Sequence, residues 1–422
     1  MSVVDRWSVG RRLAGWSQRG RGEVAMVLSA RIVNAGAGVM FVLLTARHLG
    51  PTGRGEIAVA FTVAYATAKL ADLGTSTSGR IHLLIRDDPI NASDVFSLTL
   101  ALIPLQAMLA ALVVGVLSWS SLNLSWGFSL AVIGLSVAIM IFRSTVSILY
   151  GLRRYWVVMV AETVVAVVEV VVLAILLRSG RLTATSAVMT MAFGSALCGA
   201  CLVGQPGVLT RGGRKKLTTH WRVLCVDGIS PMIGAVSFFM ALRLDRLILA
   251  MTAGAYSVGI YTVALAIPET LRILPKAVGQ VIADRGRSGV DSIATVRLHC
   301  RLVILGHVLI LGVLAIVGST LLPLAFGEGF REARDVLMVV TIAEAFLSVH
   351  LMQQALLVSF GSYHGIGVPR VIGGVFMVVL NLVMIPKWGL YGAAWACLIG
   401  YGVLAATSVL WMNRELRRVA AP

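Results

Sequence analysis

Ionisable residues lie inside long apolar segments of the sequence, where their charges have no obvious solvent. Arg272 and Lys276 follow Glu269 by three and seven residues, which puts all three on one face of a helix. Lys69 and Asp72 have the same three-residue spacing in an earlier segment. An ionisable group at the centre of a bilayer costs at least about 2.5 kcal/mol on insertion scales, so such groups usually face a cavity or a partner. The spacing therefore predicts a cavity lined with charge.

The candidates in the first two apolar segments of each half of the chain are together net cationic. Their basic members are Arg31, Lys69, Arg243, Arg246, Arg272 and Lys276, and their acidic members are Asp72, Asp245 and Glu269. Arginine presents planar donors to phosphate oxygens and lysine presents a point charge, so an anionic substrate such as a diphosphate is favoured. The alternative is internal pairing, of Lys69 with Asp72 and of Arg272 with Glu269, or contact of side chains with lipid headgroups near the ends of the segments.

A second group of acidic residues suggests ion coupling. Glu162 and Glu169 are seven residues apart on one helical face, and Glu344 lies in a later apolar segment. Such groups relay protons or bind a coupling cation in some membrane proteins. Cys198 and Cys201 have the spacing of half a zinc site, but no second pair completes it, so we expect no metal and no bound cofactor. The energy source, an H+ or Na+ gradient among the options, stays open.

The composition requires a membrane environment. Of 422 residues, 58% are hydrophobic and 13% are charged, whereas a soluble domain carries about 25% charged residues. The net charge of +17 does not indicate nucleic acid, because the basic residues lie between apolar segments rather than in one patch with aromatic residues. The first 23 residues contain five arginines and lack the pattern of a cleavable signal peptide. We expect an integral membrane protein with no nucleic-acid partner.

The chain contains twelve apolar segments, each long enough to cross a bilayer as a helix of about 20 residues. They lie at 24–46, 56–78, 94–117, 127–149, 156–177, 183–204, 226–249, 256–280, 302–325, 335–359, 366–385 and 391–412. With both termini in the cytoplasm, 23 Lys and Arg residues fall inside, Arg80 and Arg143 among them, and 7 fall outside, Arg54 among them, in agreement with the positive-inside rule. The predicted fold is all-α and polytopic, with N and C termini in the cytoplasm.

The twelve segments divide into two lobes of six. The predicted organisation is a basic cytoplasmic tail at 1–23, an N-terminal lobe at 24–205, a basic cytoplasmic linker at 206–223, a C-terminal lobe at 224–412 and a cytoplasmic tail at 413–422. The segment 55–61 (GEIAVAF) echoes 259–265 (GIYTVAL), and each opens a helix in its lobe. A parallel repeat of this kind leaves a central cleft between the lobes, where transporters place their substrate.

The last two segments carry a recognisable pattern. Residues 381–396 read NLVMIPKWGLYGAAWA, in which Pro386 is expected to end a helix and Gly389 and Gly392 to shape a tight turn. This resembles the signature N-x-x-x-I-P-x-x-G-x-x-G-A-A-x-A of polysaccharide flippases of the Wzx type, within the multidrug/oligosaccharidyl-lipid/polysaccharide (MOP) exporter superfamily. The segments 46–55 with 71–74, 151–154, and 245–254 with 258–261 resemble the same family. The loop at 361–369 carries little charge and matches only loosely.

The resemblance implies a MOP or MATE-like fold and alternating access. It implies movement of an undecaprenyl-diphosphate-linked oligosaccharide from the inner to the outer leaflet of the bacterial cytoplasmic membrane, for surface polysaccharide synthesis. Partners would be this lipid-linked glycan, membrane lipid and other polysaccharide-assembly proteins. By the same resemblance, Asp245 matches the family's Asp in the seventh span, and the basic residues of spans one, two, seven and eight resemble its cavity lining.

Two other classes of function are less favoured by the residues of this chain. A MATE-like multidrug or antiporter-type exporter of cationic drugs would need an acidic cavity, which the excess of basic residues opposes. A membrane glycosyltransferase, polymerase or ligase would need a water-accessible site with a positioned acid, base or metal. The predicted external loops are short, and the connection at 118–126 has no charged residue. The sequence therefore predicts a transporter rather than an enzyme.

Overall fold

The computed structural model describes residues 18–85, 88–120, 122, 124–209, 217–287, 293–359 and 363–420. In these ranges the regular secondary structure is helical, without strands. The helices are α1 (Gln18–Ala71), α2 (Thr75–Leu84), α3 (Ala92–Trp119), α4 (Trp126–Gly151), α5 (Tyr155–Arg178), α6 (Ala184–Val203), α7 (Leu217–Leu271), α8 (Ile273–Arg287), α9 (Ile293–Phe326), α10 (Ala333–Ser359) and α11 (Tyr363–Ala420).

Nine helical stretches of the described chain are long and apolar enough to cross a membrane, and three of them are each two helices joined at a glycine. The glycines are Gly50, Gly254 and Gly389, with φ values of 67°, 77° and 52°. Glycine enters this left-handed region readily because it has no Cβ. We call the two parts α1a (18–49) and α1b (51–71), α7a (217–253) and α7b (255–271), and α11a (363–388) and α11b (390–420). Counting them separately gives the twelve predicted spans.

The turn at Gly389 reverses the chain. A Cβ on Gly392 would lie 2.2 Å from the carbonyl oxygen of Met384. Two residues eight apart in a continuous helix are separated by about 12 Å, so the chain must fold back between them. The helix continues past Pro386, however, and the expectation that this proline ends it was wrong. The reversal occurs three residues later, where glycine permits the positive φ.

The two halves of the chain repeat one arrangement. In the first half α1b is followed by a break at residues 72–74, where Leu73 and Gly74 have φ values of 47° and 73°, and then by α2. In the second half α7b is followed by a break at Arg272 and then by α8. A glycine kink and a broken helix thus occur in the first two spans of each half. The architecture confirms the predicted all-α fold with two six-helix lobes.

The lobes meet where the first two spans of each half approach. A Cβ on Gly55 would lie 1.8 Å from the carbonyl oxygen of Ala255, and one on Gly259 would lie 1.8 Å from that of Pro51. The echoed segments 55–61 and 259–265 therefore begin in direct backbone contact. We call this end of the bundle, next to Gly50 and Gly254, the kink end.

The lobes also touch at the end opposite the kink end. A Cβ on Gly74 would lie 2.0 Å from the carbonyl oxygen of Gly228, and Ser78 Oγ donates to the carbonyl oxygen of Leu224 at 2.7 Å. Helix α2 thus packs on α7a across the interface, whereas α8 packs on α9 and α10 within its own lobe. The limits predicted for the tails and the linker stay predictions, since residues 1–17, 210–216 and 421–422 lie outside the described chain.

Candidate functional site

Three arginines of the second half converge on one carboxylate. Arg243 and Arg246 lie on α7a, Arg272 lies at the break between α7b and α8, and all three contact Glu269. The distance is 3.0 Å from Arg243 Nη2 to Glu269 Oε2 and 3.7 Å from Arg272 Nη2 to Glu269 Oε1. Arg246 Nη2 also donates to Glu269 Oε1. The pairing of Arg272 with Glu269 that the spacing allowed is present, and it is one of three contacts that Glu269 makes with arginines among the described residues.

Arg272 has a second carboxylate partner in Glu344 of α10. Arg272 Nε donates to Glu344 Oε2 at 2.6 Å, and Arg272 Nη2 donates to Glu344 Oε1, which makes a two-pronged pair. Arg272 Nη2 also donates to the Tyr401 hydroxyl on α11b at 3.2 Å. The Glu344 side chain is fully buried. Glu344, which was predicted from sequence as a coupling candidate, therefore neutralises Arg272 in this structure. The contact of Tyr401 with Arg272 was not predicted from sequence.

Asp245 lies in the same region but makes different contacts. The Tyr261 hydroxyl donates to Asp245 Oδ2 at 2.7 Å, and the backbone N–H of Arg246 donates to Asp245 Oδ1 at 2.8 Å. Both Asp245 and Tyr261 are buried. Since these residues lie on α7a and α7b, their hydrogen bond ties the two parts of α7 together across the Gly254 kink.

Two further cations complete this cluster. Lys276 follows Arg272 by one helical turn and is exposed. Arg54 extends toward the cluster from the first half. Its Nε atom is buried and has no hydrogen-bond partner among the described residues, and its charge interacts with those of Glu269 and Arg243. From the sequence, Arg54 was predicted to lie outside the membrane as a topology charge. The second-half cluster then consists of Arg54, Arg243, Arg246, Arg272 and Lys276 with Asp245, Glu269 and Glu344. Five cations against three carboxylates leave it cationic.

The charged residues of the first half surround a cavity of about 350 Å³ between α1b, α2, α4 and α5. Lys69 and Asp72, both predicted from sequence, line it together with Glu162. Arg80 of α2 and Arg143 of α4 line it as well. From the sequence, these two arginines were predicted to be cytoplasmic topology charges. Arg80 lies beside the apolar segment that carries Lys69, and Arg143 lies inside the apolar segment 127–149, so their positions were the available signal.

Asp72 mainly organises the backbone at the start of α2. Its carboxylate accepts the backbone N–H of Ser76 at 3.2 Å, the Ser76 hydroxyl at 2.5 Å and the Thr75 hydroxyl at 3.1 Å. A carboxylate in this position satisfies donors that a helix N-terminus leaves without partners. Among the described ion pairs, Lys69 and Asp72 do not form one, so the internal pairing weighed for them is absent from this conformation.

The remaining predicted residues fall elsewhere. Glu169, one of the two predicted coupling carboxylates on α5, packs against α6, where a Cβ on Gly194 would lie 2.7 Å from Glu169 Oε1. It is not among the residues lining the first-half cavity. The side chain of Arg31 lies outside the described residues. Within the described part of the chain, no three His, Cys, Asp or Glu side chains group together as metal ligands.

No family model matches the sequence, and no curated protein matches it. Solved structures do match. One is the inward-facing conformation of a multidrug resistance MATE family transporter of the MOP superfamily, with a TM-score of 0.72 and 14% identity, covering 94% of this chain and 99% of that one. Another is the lipid II flippase MurJ in an inward closed conformation, with a TM-score of 0.71 and 13% identity, covering 93% and 87%.

A third match is a MOP superfamily transporter from Pyrococcus furiosus, whose binding pocket is described as having reverse polarity. Its TM-score is 0.63 at 12% identity, covering 94% of this chain and 96% of that one. Identities this low establish the fold alone. The chain is therefore a multi-pass membrane protein with the fold that these transporters and the lipid II flippase share.

Proposed function

We propose that the protein is a flippase for a polyprenyl-diphosphate-linked glycan in the bacterial cytoplasmic membrane, where it serves surface polysaccharide synthesis. The observation that carries the proposal is the concentration of cationic side chains on the first two spans of each lobe. Arg54 and Lys69 lie on α1b, Arg243 and Arg246 on α7a, and Arg272 at the break that follows α7b. Cations placed at this depth are costly unless they meet an anion.

The chemistry of the two clusters fits a diphosphate. Guanidinium groups offer paired N–H donors to phosphate oxygens, and the ammonium group of Lys69 adds a point charge. A polyprenyl tail needs no polar contact and stays in lipid while the headgroup crosses between the lobes. The undecaprenyl carrier and the sugar repeat follow from the resemblance of residues 381–396 to polysaccharide flippases, and the similar fold of the lipid II flippase MurJ supports a lipid-linked substrate.

The lobe contacts suggest how access alternates. The backbones of Gly55 and Gly259 seal the kink end, which faces outside in the predicted orientation. Rocking of the lobes would open this contact and expose the clusters to the other side, while α2 and α7a stay in contact or close further at the cytoplasmic end. A membrane potential that is negative inside would assist export of an anion by about 2.3 kcal/mol per charge per 100 mV.

A multidrug exporter is the second candidate function, because a MATE family transporter has a similar fold. The charge of the clusters opposes it. Drugs carried by antiporters of this kind are commonly cationic, and a cluster with five cations and three carboxylates repels them. A membrane glycosyltransferase, polymerase or ligase is the least favoured, since the solved structures of similar fold described above are transporters and a lipid flippase.

The experiment that tests the proposal follows the lipid-linked oligosaccharide in a strain from which the gene is deleted. We expect complete repeat units to accumulate in the cytoplasmic leaflet and surface polysaccharide to be lost. The wild-type gene should restore both, and a Lys276→Ala variant of equal expression should restore them poorly. If complete units still reach the outer leaflet but remain unpolymerised, the protein acts after translocation and the flippase proposal fails. Changed sensitivity to cationic drugs, with normal polysaccharide, would favour the multidrug exporter.

A further inference from the structure

The cations of the two lobes differ in how far their charges are already neutralised. In the second lobe, Arg243, Arg246 and Arg272 all contact Glu269, and Arg272 also pairs with Glu344. In the first lobe, Lys69, Arg80 and Arg143 line one cavity, and none of the three has a carboxylate within 4.0 Å among the described residues. Among the described residues, the first-lobe cations thus have no ion-pair partner in this conformation, in contrast to Arg243, Arg246 and Arg272.

The acidic residues of the first-lobe cavity do not change this conclusion. The Asp72 carboxylate accepts hydrogen bonds from the backbone N–H and the hydroxyl of Ser76 and from the Thr75 hydroxyl. Glu162 lines the cavity from α5 and is the second carboxylate there. Three cations and two carboxylates leave a net positive charge, and one of the carboxylates is committed to a helix start.

Tyrosine rings position the two guanidinium groups. The Arg143 guanidinium carbon lies 5.8 Å from the centre of the Tyr65 ring, and that of Arg80 lies 5.1 Å from the centre of the Tyr150 ring. A guanidinium group over the face of an aromatic ring is attracted to the ring, and its N–H groups that point away from the ring can still donate. Tyr65 and Tyr150 line the same cavity, so these arginines border the space that a ligand would fill.

The size and place of the cavity suit a compact dianion. Its volume of about 350 Å³ is at the lower end of the range for small-molecule sites. Lys69 lies near the end of α1b and Arg80 lies eleven residues later on α2, so the cations run along one helix pair toward the end opposite the kink end. That is the predicted cytoplasmic end, from which a substrate made inside the cell must enter.

We infer that Lys69, Arg80 and Arg143 form a diphosphate-binding subsite in the first lobe, which receives the substrate headgroup before the arginines of the second lobe do. The inference rests on the proposed function for the identity of the substrate. The chemistry recognised is a diphosphate, which a lipid headgroup and a free diphosphate both carry.

The test measures binding by the full-length protein in nanodiscs. One arm titrates inorganic pyrophosphate, a second incorporates polyprenyl diphosphate in the nanodisc lipid, and a third incorporates polyprenyl monophosphate. The variants are Arg143→Gln and Arg80→Gln in the first lobe, Arg243→Gln in the second lobe, and Arg301→Gln as a control at an exposed arginine of α9. Circular dichroism and size-exclusion profiles select the variants that fold. If one of the two first-lobe variants does not fold, the other one carries the test.

We expect Arg143→Gln and Arg80→Gln each to weaken diphosphate binding by about 10- to 100-fold, the value of a charged hydrogen bond, with Arg301→Gln unchanged. Arg243→Gln should weaken diphosphate binding less than either of the two first-lobe variants does. Wild-type affinity in both first-lobe variants, with loss in Arg243→Gln, would overturn the subsite while leaving the flippase proposal standing. Binding of pyrophosphate that depends on Arg143, without preference for polyprenyl diphosphate over monophosphate, would support the subsite and count against the proposed substrate. Absence of diphosphate binding in every arm would overturn the subsite.

Discussion

The Nε2 atom of His82 lies 2.9 Å from Oδ2 of Asp227, and this contact joins the first lobe to the second. His82 is near the end of α2 and Asp227 is on α7a. The other ring nitrogen, Nδ1, lies 2.9 Å from Oδ2 of Asp88. A histidine held between two carboxylates is stabilised in its charged form, so the contact between the lobes at this end depends on protonation.

The first prediction concerns pH. Partial burial lowers the pKa of His82, but hydrogen bonds to Asp88 and Asp227 raise it more, and the net pKa is raised above 6.5. A raised pKa gives stability that is complete below the ordinary value and is lost as the pH rises through the folded-state value. We expect His82→Gln to lower the thermal unfolding midpoint more at pH 6 than at pH 8.5. The exposed His299 provides the control variant His299→Gln. A His82→Gln effect that is equal at both pH values would contradict the prediction.

The second prediction concerns the pair formed by Arg272 and Glu344. Because the Glu344 side chain is fully buried, removal of Arg272 leaves an uncompensated charge in the interior. Arg272→Met should therefore lower stability by about 3–5 kcal/mol. The double variant Arg272→Met with Glu344→Leu should recover most of this loss, since no buried charge remains. Thermal unfolding in detergent measures the stability of the single and the double variant. Equal destabilisation of the two would show that loss of the ion pair does not cause the stability loss in Arg272→Met.

The third prediction concerns Glu269 as the counter-ion of the second-lobe arginines. Glu269→Gln removes the carboxylate that Arg243 and Arg246 share, which leaves their donors available to another anion. We expect affinity for inorganic pyrophosphate to rise by about tenfold, equivalent to about 1.4 kcal/mol. Glu328→Gln is the control, because Glu328 forms an exposed pair with Arg331 on the surface. Unchanged affinity in Glu269→Gln would mean that these arginines are not open to anions.

The fourth prediction concerns the seal at the kink end. A Cβ on Gly259 would lie 1.8 Å from the carbonyl oxygen of Pro51, so Gly259→Ala must push the two lobes apart there. We expect transport to fall by at least about tenfold, and a cysteine placed in the second-lobe cluster to become more reactive toward a membrane-impermeant thiol reagent added outside. Gly38→Ala is the matched control, since a Cβ there meets no atom within 4 Å. If the two variants behave alike, the glycine contact does not hold this end closed.

The sequence by itself determined the membrane environment, the number of spans and their approximate ends. These follow from local properties, because a run of about 20 apolar residues must cross the bilayer as a helix whatever surrounds it. The depth of the charges also followed from sequence, since Lys69, Arg243, Glu269 and Arg272 lie inside such runs. The tight turn near residue 389 was predictable from its glycines, although the role given to Pro386 was wrong.

Only the tertiary structure decided which charges neutralise one another. Helical spacing shows which residues share a face of one helix, but it does not show which helix packs against that face. Glu344 meets Arg272 across 72 residues of sequence, and Arg143 joins Lys69 in one cavity because α4 packs against α1b. The contact of Gly55 with Ala255 depends in the same way on how the lobes pack. The sequence therefore set the charges and their depth, and packing between distant helices set their partners.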